Sequence, residues 1–322
     1  MSGPGLGWGV AATGSIARTV GTVIAQHPDM HVAAVGSRDR DRAAALAADL
    51  GGAVAHGSYA ALVEDASVEA VYVATPHPQH AAVVEAALRA GKAVLCEKPL
   101  TAELAETERL LDVAADAGGF LMEAVWMRFN PLVQRLAALV QDGALGEIRS
   151  LSAAFGFRAP YDPAGRLWDP ALGGGALLDL GIYTVDLAQL LLGTPARVEV
   201  SGSLAPTGVD QESSLLLTFA GGARALLAQS LVADLPGTAE IVGTRGWARL
   251  GPEFHAATEL VVQTEAGRSE HSVGDAQVGY AGELEEVARC RAAGLTQSPR
   301  MPLGASLIDM RVLDEARRAL RR

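Results

Sequence analysis

Two places in this chain of 322 residues carry side chains suited to moving a proton. In "AVLCEKPL", Lys98 follows a short apolar run and sits between Glu97 and Pro99. In "LLDLGIYTVDL", Asp179 and Tyr183 stand four residues apart, a spacing that puts both on one face of a helix. A phenol ordinarily titrates near about 10, and an ammonium group close by favours the phenolate and brings it toward working pH. A tyrosine and a lysine facing one another could therefore take a proton from a hydroxyl, with the aspartate orienting a substrate hydroxyl or Lys98. Gly181 lies inside the same helical stretch. A helical glycine costs about 1 kcal/mol relative to alanine, so close approach of a ligand or backbone is expected there.

The elements that would position these groups follow from the pattern of the chain. Over the first 124 residues, short apolar runs at 8–13, 31–37, 70–75, 93–97 and 120–124 alternate with helical patterns at about 14–27, 40–50, 78–91 and 103–118. Unbroken apolar strands separated by helices predict a doubly wound parallel sheet, and in such sheets ligands bind at the carboxyl ends of the strands. Lys98 follows one such end. Beyond a helix near 131–142 the texture changes to strand-like runs at 147–158, 196–205, 213–219, 223–232, 238–243, 247–250 and 258–264, with "AGGA" at 220–223 as a hairpin turn. A helix at about 174–192 interrupts them, and two more follow at about 279–293 and 304–321. The reading is a dinucleotide-binding domain at 1–124, then a substrate-binding α+β domain at 125–322 on a large, mostly antiparallel open sheet.

If the first strand is 8–13, the turn that opens the first helix is "ATGSIA", with Thr13, Gly14, Ser15 and Ile16 at its centre. Gly7 and Gly9 lie too early and belong to the strand. Gly14 would let the backbone approach a pyrophosphate, and Ala17 is small enough for helix–strand packing. The helix N-terminus adds free N–H groups and partial positive charge. The second strand ends in "VGSRDRDR", where dinucleotide folds read the ribose. Ser37 and Arg38, a hydroxyl and a guanidinium, suit a 2′-phosphate, so NADP is favoured, with NAD possible.

Composition sets bounds on the rest. The net charge of −11 argues against a nucleic-acid or membrane-surface partner. No run reaches the roughly 18 apolar residues that a membrane span needs. The two cysteines, Cys96 and Cys290, make no framework, and Arg18 is the first basic side chain, so a reducing cytoplasmic setting is expected. His77 and His80 have no partners at metal-ligand spacing, and no metal is expected. Glu123, Trp126 and Arg128 follow the sixth strand and could shape a pocket for a sugar or cyclic diol; Phe157, Trp168 and Tyr280 are further candidates.

Taken together, "TGSIA", "TPHPQH" (75–80), "AGKAVLCEKPL" (90–100), "MEAVWMRFNP" (122–131) and "GGGALLDLGIYTVDL" (173–187) resemble the glucose–fructose oxidoreductase/inositol dehydrogenase (Gfo/Idh/MocA) family, and within it the dihydrodiol dehydrogenase and NADP-dependent D-xylose dehydrogenase branch. The resemblance implies a Rossmann domain, a second domain whose open sheet makes a homodimer or higher oligomer, and hydride transfer between a nicotinamide and a hydroxyl-bearing carbon. It makes Lys98 the catalytic lysine of the Glu97–Lys98–Pro99 motif. Tyr183 stands where many sugar-acting relatives carry histidine. Thr75, Pro76 and His77 would line the cofactor, with His80 in the following helix. The family's usual glycine is replaced here by Ala12. The activity implied is an NADP-dependent sugar or trans-diol dehydrogenase. The alternatives are a keto-sugar reductase of the anhydrofructose type and a regulatory protein that binds NADP without turnover.

Overall fold

The computed structural model describes residues 5–322. Strands β1 (Leu6–Ala11), β2 (Met30–Gly36), β3 (Val54–His56), β4 (Ala70–Val73), β5 (Ala93–Glu97) and β6 (Leu121–Ala124) form one sheet in the order β3-β2-β1-β4-β5-β6. Every neighbouring pair is parallel. Helices α1 (Ser15–Gln26), α2 (Arg40–Asp49), α3 (Tyr59–Glu64), α4 (His80–Arg89) and α5 (Leu104–Ala117) make the crossovers. Val10, Val71, Val73, Val94, Leu95 and Cys96 are wholly buried, which is why these strands read as unbroken apolar runs. The order reverses between β1 and β4, so the ends of β1, β4 and β5 share the edge where such sheets bind ligands. The short pair β3 and α3 has no counterpart in the sequence reading; β3 is an edge strand of three residues, too brief to show a period.

The second sheet has eight strands: β7 (Ile148–Gly156), β8 (Pro195–Leu204), β9 (Asp210–Phe219), β10 (Arg224–Ser230), β11 (Ala239–Gly243), β12 (Gly246–Gly251), β13 (Glu259–Thr264) and β14 (Gly267–Ser272). Their order is β14-β13-β12-β11-β7-β10-β9-β8; β7 and β10 run parallel and the rest antiparallel. The expected turn at 220–223 joins β9 to β10. Alternation is real here: β9 buries Ser213, Leu215, Leu217 and Phe219 and leaves the residues between them less covered. Helices α6 (Pro131–Gln141) and α7 (Ile182–Leu192) belong to the same unit. The apolar stretch Pro170–Leu192 is long enough to cross a membrane, but 83% of its most apolar window is buried in the protein, as in a core helix.

The chain divides into two compact units, one running up to Val125 and including Tyr280–Ser306, the other comprising Trp126–Gly279 and Leu307–Arg322. A single cut at 124/125 therefore does not describe the chain, because most of α8 (Val278–Ala292) returns to the first unit and α9 (Leu303–Leu320) spans both. Local reasons are visible. Leu121, on edge strand β6, donates its N–H to the Thr296 carbonyl at 3.1 Å, and Leu303 packs on the first core. Helical periodicity shows that these segments are helices but not which core they cover.

Just before α7 the backbone widens into a π-helical turn over Leu177–Gly181. Such turns recur at functional sites. Its start is held by Asp210, whose Oδ2 accepts the Leu177 N–H at 2.6 Å. Gly175, at φ +121°, makes this possible: a Cβ there would lie 2.4 Å from Asp210 Oδ1. For Gly181 the sequence left a ligand or a backbone as the close neighbour, and the nearest atoms are core side chains. A Cβ on it would meet Leu177 at 3.3 Å and Gln229 and Leu313 at 3.6 Å, so Gly181 faces the packed core.

Burial pushes the Asp210 carboxyl up to about 6, against the opposing pull of the Leu177 N–H and of Arg317 and Arg321. With the folded value raised, the folded chain holds the proton more tightly. The associated stability is complete below about 4 and is lost as pH rises through about 6. Asp210→Asn keeps an oxygen for Leu177 and cannot ionise. It is expected to exceed the wild type in unfolding free energy at pH 7.5, by at most about 3 kcal/mol, and to approach it near pH 4. Denaturant titrations giving the two proteins the same pH slope would refute this.

Candidate active site

In the first unit the glycine turn is built as the sequence suggested. A Cβ on Gly7 would lie 2.4 Å from the Ser67 carbonyl oxygen and one on Gly9 would lie 2.9 Å from Val68, so both are packing glycines of β1. Gly14, by contrast, has nothing within 4 Å of a Cβ position and caps α1 with extended backbone. No side chain caps α1 and its first turn holds no acid. Thr13, Gly14, Ser15 and Ile16 all keep exposure, so the helix N-terminus is open to an anion. Ala12 has φ +121°, a conformation that favours glycine. Here the alanine carries backbone strain that a glycine would not.

At the end of β2, Asp39 is committed to α2: its Oδ1 accepts the N–H groups of Asp41 and Arg42 at 2.9 and 3.1 Å. That leaves Ser37 and Arg38 as the polar side chains at the strand tip. Arg38 is exposed, while Ser37 is buried with its Oγ accepting the Asp39 N–H. After β4, Thr75 and His77 are buried, and Pro76 leads into the turn before α4. His80, fully buried, clamps two loops: its Nε2 meets the Thr75 carbonyl at 2.8 Å and its Nδ1 the Pro99 carbonyl at 3.0 Å. Burial pushes this imidazole below its ordinary pKa, and the carbonyls of Thr75, Pro99 and Leu100 offset part of the effect.

The Glu97–Lys98–Pro99 segment is fixed at several points. Glu97 Oε1 accepts the Tyr72 hydroxyl and its Oε2 accepts the Lys98 N–H. The Lys98–Pro99 peptide is cis. Glu123, predicted to face a substrate, is wholly buried, and its Oε1 accepts the Leu100 N–H at 2.8 Å. Its job is to tie this loop to β6. Tyr280 also lies in this unit, near Glu97 and Glu283 and buried, which raises its phenol pKa. It stands with the residues of the cofactor loop. Within this nest Lys98 alone is half-exposed.

In the second unit Tyr183, near the start of α7, is nearly buried in rings. Its oxygen accepts the Trp126 indole N–H at 2.8 Å. Phe155 on β7 lies edge-on at 5.9 Å, Phe157 beyond it is partly exposed, and His255 is tilted against the phenol at 5.2 Å. A hydrogen bond donated to the phenol oxygen stabilises negative charge on it. Asp179, in the π-helical turn, is paired with Arg166 at 2.9 Å.

Two other predicted pocket residues turn out to serve the fold. The Arg128 guanidinium is buried against Asp186 on α7, at 2.7 Å, and also bonds Gln189. Trp168 is buried in a small apolar cluster with Ala176 and Leu180, its indole N–H donated to the Pro160 carbonyl at 2.9 Å. Both lie in the chain near the candidate site, but their polar atoms are consumed internally.

Comparison with known proteins agrees with this fold. Residues 6–125 match the model of an oxidoreductase family with an NAD-binding Rossmann fold, and 133–249 match the GFO/IDH/MocA C-terminal domain. The chain is 38% identical to trans-1,2-dihydrobenzene-1,2-diol dehydrogenase of Mus musculus, covering 98% of this chain and 97% of that one. It is 36% identical to the Homo sapiens protein of that name, at the same coverage. Among solved structures, aldose-aldose oxidoreductase from Caulobacter crescentus, complexed with glycerol, gives a TM-score of 0.88 at 26% identity, covering 98% of each chain. A 3-ketoreductase from Actinomadura kijaniata, in complex with NADP and TDP-benzene, gives 0.84 at 30%, covering 98% of this chain and 97% of that one.

The chain belongs to the GFO/IDH/MocA family.

As a member of that family it is an NAD(P)-dependent oxidoreductase. The open space at Gly14 and the uncapped, acid-free start of α1 fit a dinucleotide pyrophosphate. Sequence reasoning missed Phe155, Arg166 and His255. Phe155 sat unremarked in a strand, Arg166 in a Pro- and Gly-rich loop, and His255 in a stretch with no period.

Gly14→Val is expected to fold as the wild type does, since its backbone suits valine and its space is empty, yet to weaken dinucleotide binding more than about tenfold. Ala12→Gly is expected to relieve strain and raise unfolding free energy by about 1 kcal/mol while keeping binding. Thermal unfolding and NADPH fluorescence titration check both. Wild-type affinity in Gly14→Val would remove this turn from the cofactor site.

Proposed function

We propose that this protein oxidises a hydroxyl-bearing carbon of a sugar or cyclic trans-diol, with NADP as its dinucleotide. The hydrogen bond from the Trp126 indole to the Tyr183 oxygen carries the reading. A phenol so held, ringed by Phe155 and His255, is arranged to bear negative charge on an atom that still has to exchange protons. The bound nicotinamide supplies the place to which the substrate's C–H hydride goes. The substrate's hydroxyl proton must go to the protein, and Tyr183 as phenolate takes it. The Trp126 N–H steadies that oxygen before the transfer. Lys98, the lysine of the Glu97–Lys98–Pro99 motif, polarises the substrate oxygen. Asp179, steered by Arg166, orients a substrate hydroxyl.

The relatives' names support the substrate class: dehydrogenases of a cyclic, non-aromatic trans-diol on one side, sugar-acting enzymes on the other. Support for NADP comes from Arg38, exposed at the β2 tip, and from Asp39, whose Oδ1 is engaged in capping α2. The 3-ketoreductase from Actinomadura kijaniata was itself solved with NADP.

Tyr183→Phe and Lys98→Met are each expected to lower kcat at least about a hundredfold while NADPH still binds. Absorbance at the reduced nicotinamide band across a panel of aldoses and cyclic diols measures it; full turnover in either variant removes that residue from the chemistry. Separately, Ser37→Asp combined with Arg38→Ala is expected to reverse the NADP over NAD preference in kcat/KM. An unaltered ratio overturns the NADP assignment.

A further inference from the structure

The π-helical turn Leu177–Gly181 lies just ahead of Tyr183 in the chain, and its two ends are held separately. At the Leu177 end the hold is the Asp210 carboxyl group. At the Gly181 end it is a row of buried polar side chains. Thr184, wholly buried and next to Tyr183 on α7, donates its hydroxyl to the Gly181 carbonyl at 3.0 Å. The same hydroxyl reaches Gln229 Oε1 at 3.4 Å. Gln229, on β10, is also buried, and its Nε2 donates to the hydroxyl of Ser213 on β9. The amide lies against the turn itself: a Cβ on Gly181 would be 3.6 Å from the amide carbon of Gln229.

Sheet register sets this row beside the ring wall. Gln229 pairs with Ser213 in the antiparallel ladder to β9 and with Phe155 in the parallel ladder to β7. Residues paired across a ladder share a face of the sheet. Phe155, the neighbour of Gln229 on that face, lies edge-on to Tyr183 at 5.9 Å. Elsewhere the face is apolar: Ala225 and Leu227 precede Gln229 on β10, Leu215 and Leu217 follow Ser213 on β9, and all four are buried. It becomes amide and hydroxyl where it reaches Thr184.

Buried amides and hydroxyls are a poor source of net stability, since each is stripped of water before it bonds its neighbour. What the set supplies is direction. A leucine in place of Gln229 would pack against α7 over a range of rotations, whereas a hydrogen-bonded network specifies one. The Gly181 carbonyl marks the point where the wide turn gives way to α7. If that turn tightened to α-helical spacing, residues on one side of it would rotate by about 100°, one residue's step, relative to the other. The Tyr183 oxygen meets the Trp126 N–H at 2.8 Å only from one rotation of α7.

We infer that Gln229 is a positioning residue for the reaction: through Thr184 and the Gly181 carbonyl it fixes the start of α7 and aims the Tyr183 oxygen. The assignment rests on the oxidoreductase reading above and deepens it. Thr184→Val removes the hydroxyl at nearly constant shape, Gln229→Met removes the amide at similar shape, and Thr184→Ser keeps the hydroxyl. Each is assayed with NADP and the aldoses or cyclic diols that the wild type oxidises. Thr184→Val and Gln229→Met are each expected to lower kcat about tenfold, with substrate KM and NADPH affinity within about threefold, because Tyr183 serves the proton transfer. The double variant is expected to lose no more than the larger single loss, since both changes cut one network. Thr184→Ser is expected to recover most of the kcat lost in Thr184→Val.

A folded, NADPH-binding Thr184→Val or Gln229→Met that keeps kcat within about twofold of wild type overturns the assignment and leaves the oxidoreductase reading standing. So does a loss carried by KM, a Thr184→Ser as slow as Thr184→Val, or a double variant whose loss is the product of the single ones. If Gln229→Met does not fold, the two Thr184 variants decide the question. A wild type that oxidises no aldose or cyclic diol sinks the oxidoreductase reading and this assignment together.

Discussion

The second unit is organised around holding one phenol oxygen in place. Tyr183 can accept the Trp126 N–H only if α7 and the turn Trp126–Phe129 keep their register. The buried pair of Arg128 with Asp186 enforces this, because Arg128 lies in that turn and Asp186 lies one turn beyond Tyr183 on α7. A buried ion pair is a poor source of net stability, since desolvating both charges offsets most of their attraction. Its merit is geometric. Sliding the turn along α7 would strand a buried charge, whereas an apolar contact would tolerate the shift. Asp210 adds a second fixed point by holding the π-helical turn that carries Asp179.

The first unit solves a comparable problem with carboxyl groups. Glu97 receives the Tyr72 hydroxyl and the Lys98 N–H, and Glu123 receives the Leu100 N–H. Burial, and then the charge of Glu97, push the Glu283 carboxyl well above the usual carboxylate range. Glu97 itself is satisfied by the Tyr72 hydroxyl and the Lys98 N–H. Tyr72 in turn is kept protonated, first by burial and then by Glu97. A Tyr72 that always keeps its proton is a dependable donor, and the backbone of Lys98 inherits that constancy.

How much of this was legible in the sequence follows from what sequence patterns encode. The parallel sheet was legible because buried strands must be apolar throughout, and the site of Gly14 because a phosphate turn has to fall between a strand and a helix. Lys98, Asp179 and Tyr183 were singled out by spacing and by the family likeness, and the structure places them after β5, in the π-helical turn and near the start of α7. The misreadings share a cause. Arg128, Trp168 and Glu123 are polar or amphipathic residues close in sequence to the site, and position along the chain says nothing about which way a side chain turns. Each found a partner inside the fold instead: Asp186, Pro160 and Leu100. Gly181 failed in the same way, since a glycine reports close approach without saying of what. His255 was invisible for the opposite reason. Its placement depends on a left-handed glutamate, and glutamate carries no such signal.

Two non-glycine residues among those described, Ala12 and Glu253, sit at positive φ, and each borders residues assigned here to the site. The cost of each, on the order of 1–3 kcal/mol, must be offset locally or the loop would relax. At Ala12 the offset is the sheet: its N–H bonds the Gly36 carbonyl at 3.0 Å, and the wholly buried Ala11 and Ala17 bracket it. At Glu253 it is the buried ring of Phe254, whose transfer from water is worth roughly 1.5–3 kcal/mol, with the short bond to Gly237. In both places a strained residue is flanked by anchors that cannot move without exposing apolar surface. The strain is thus confined to the residue that redirects the chain, and at the first of these turns Gly14 is left exposed.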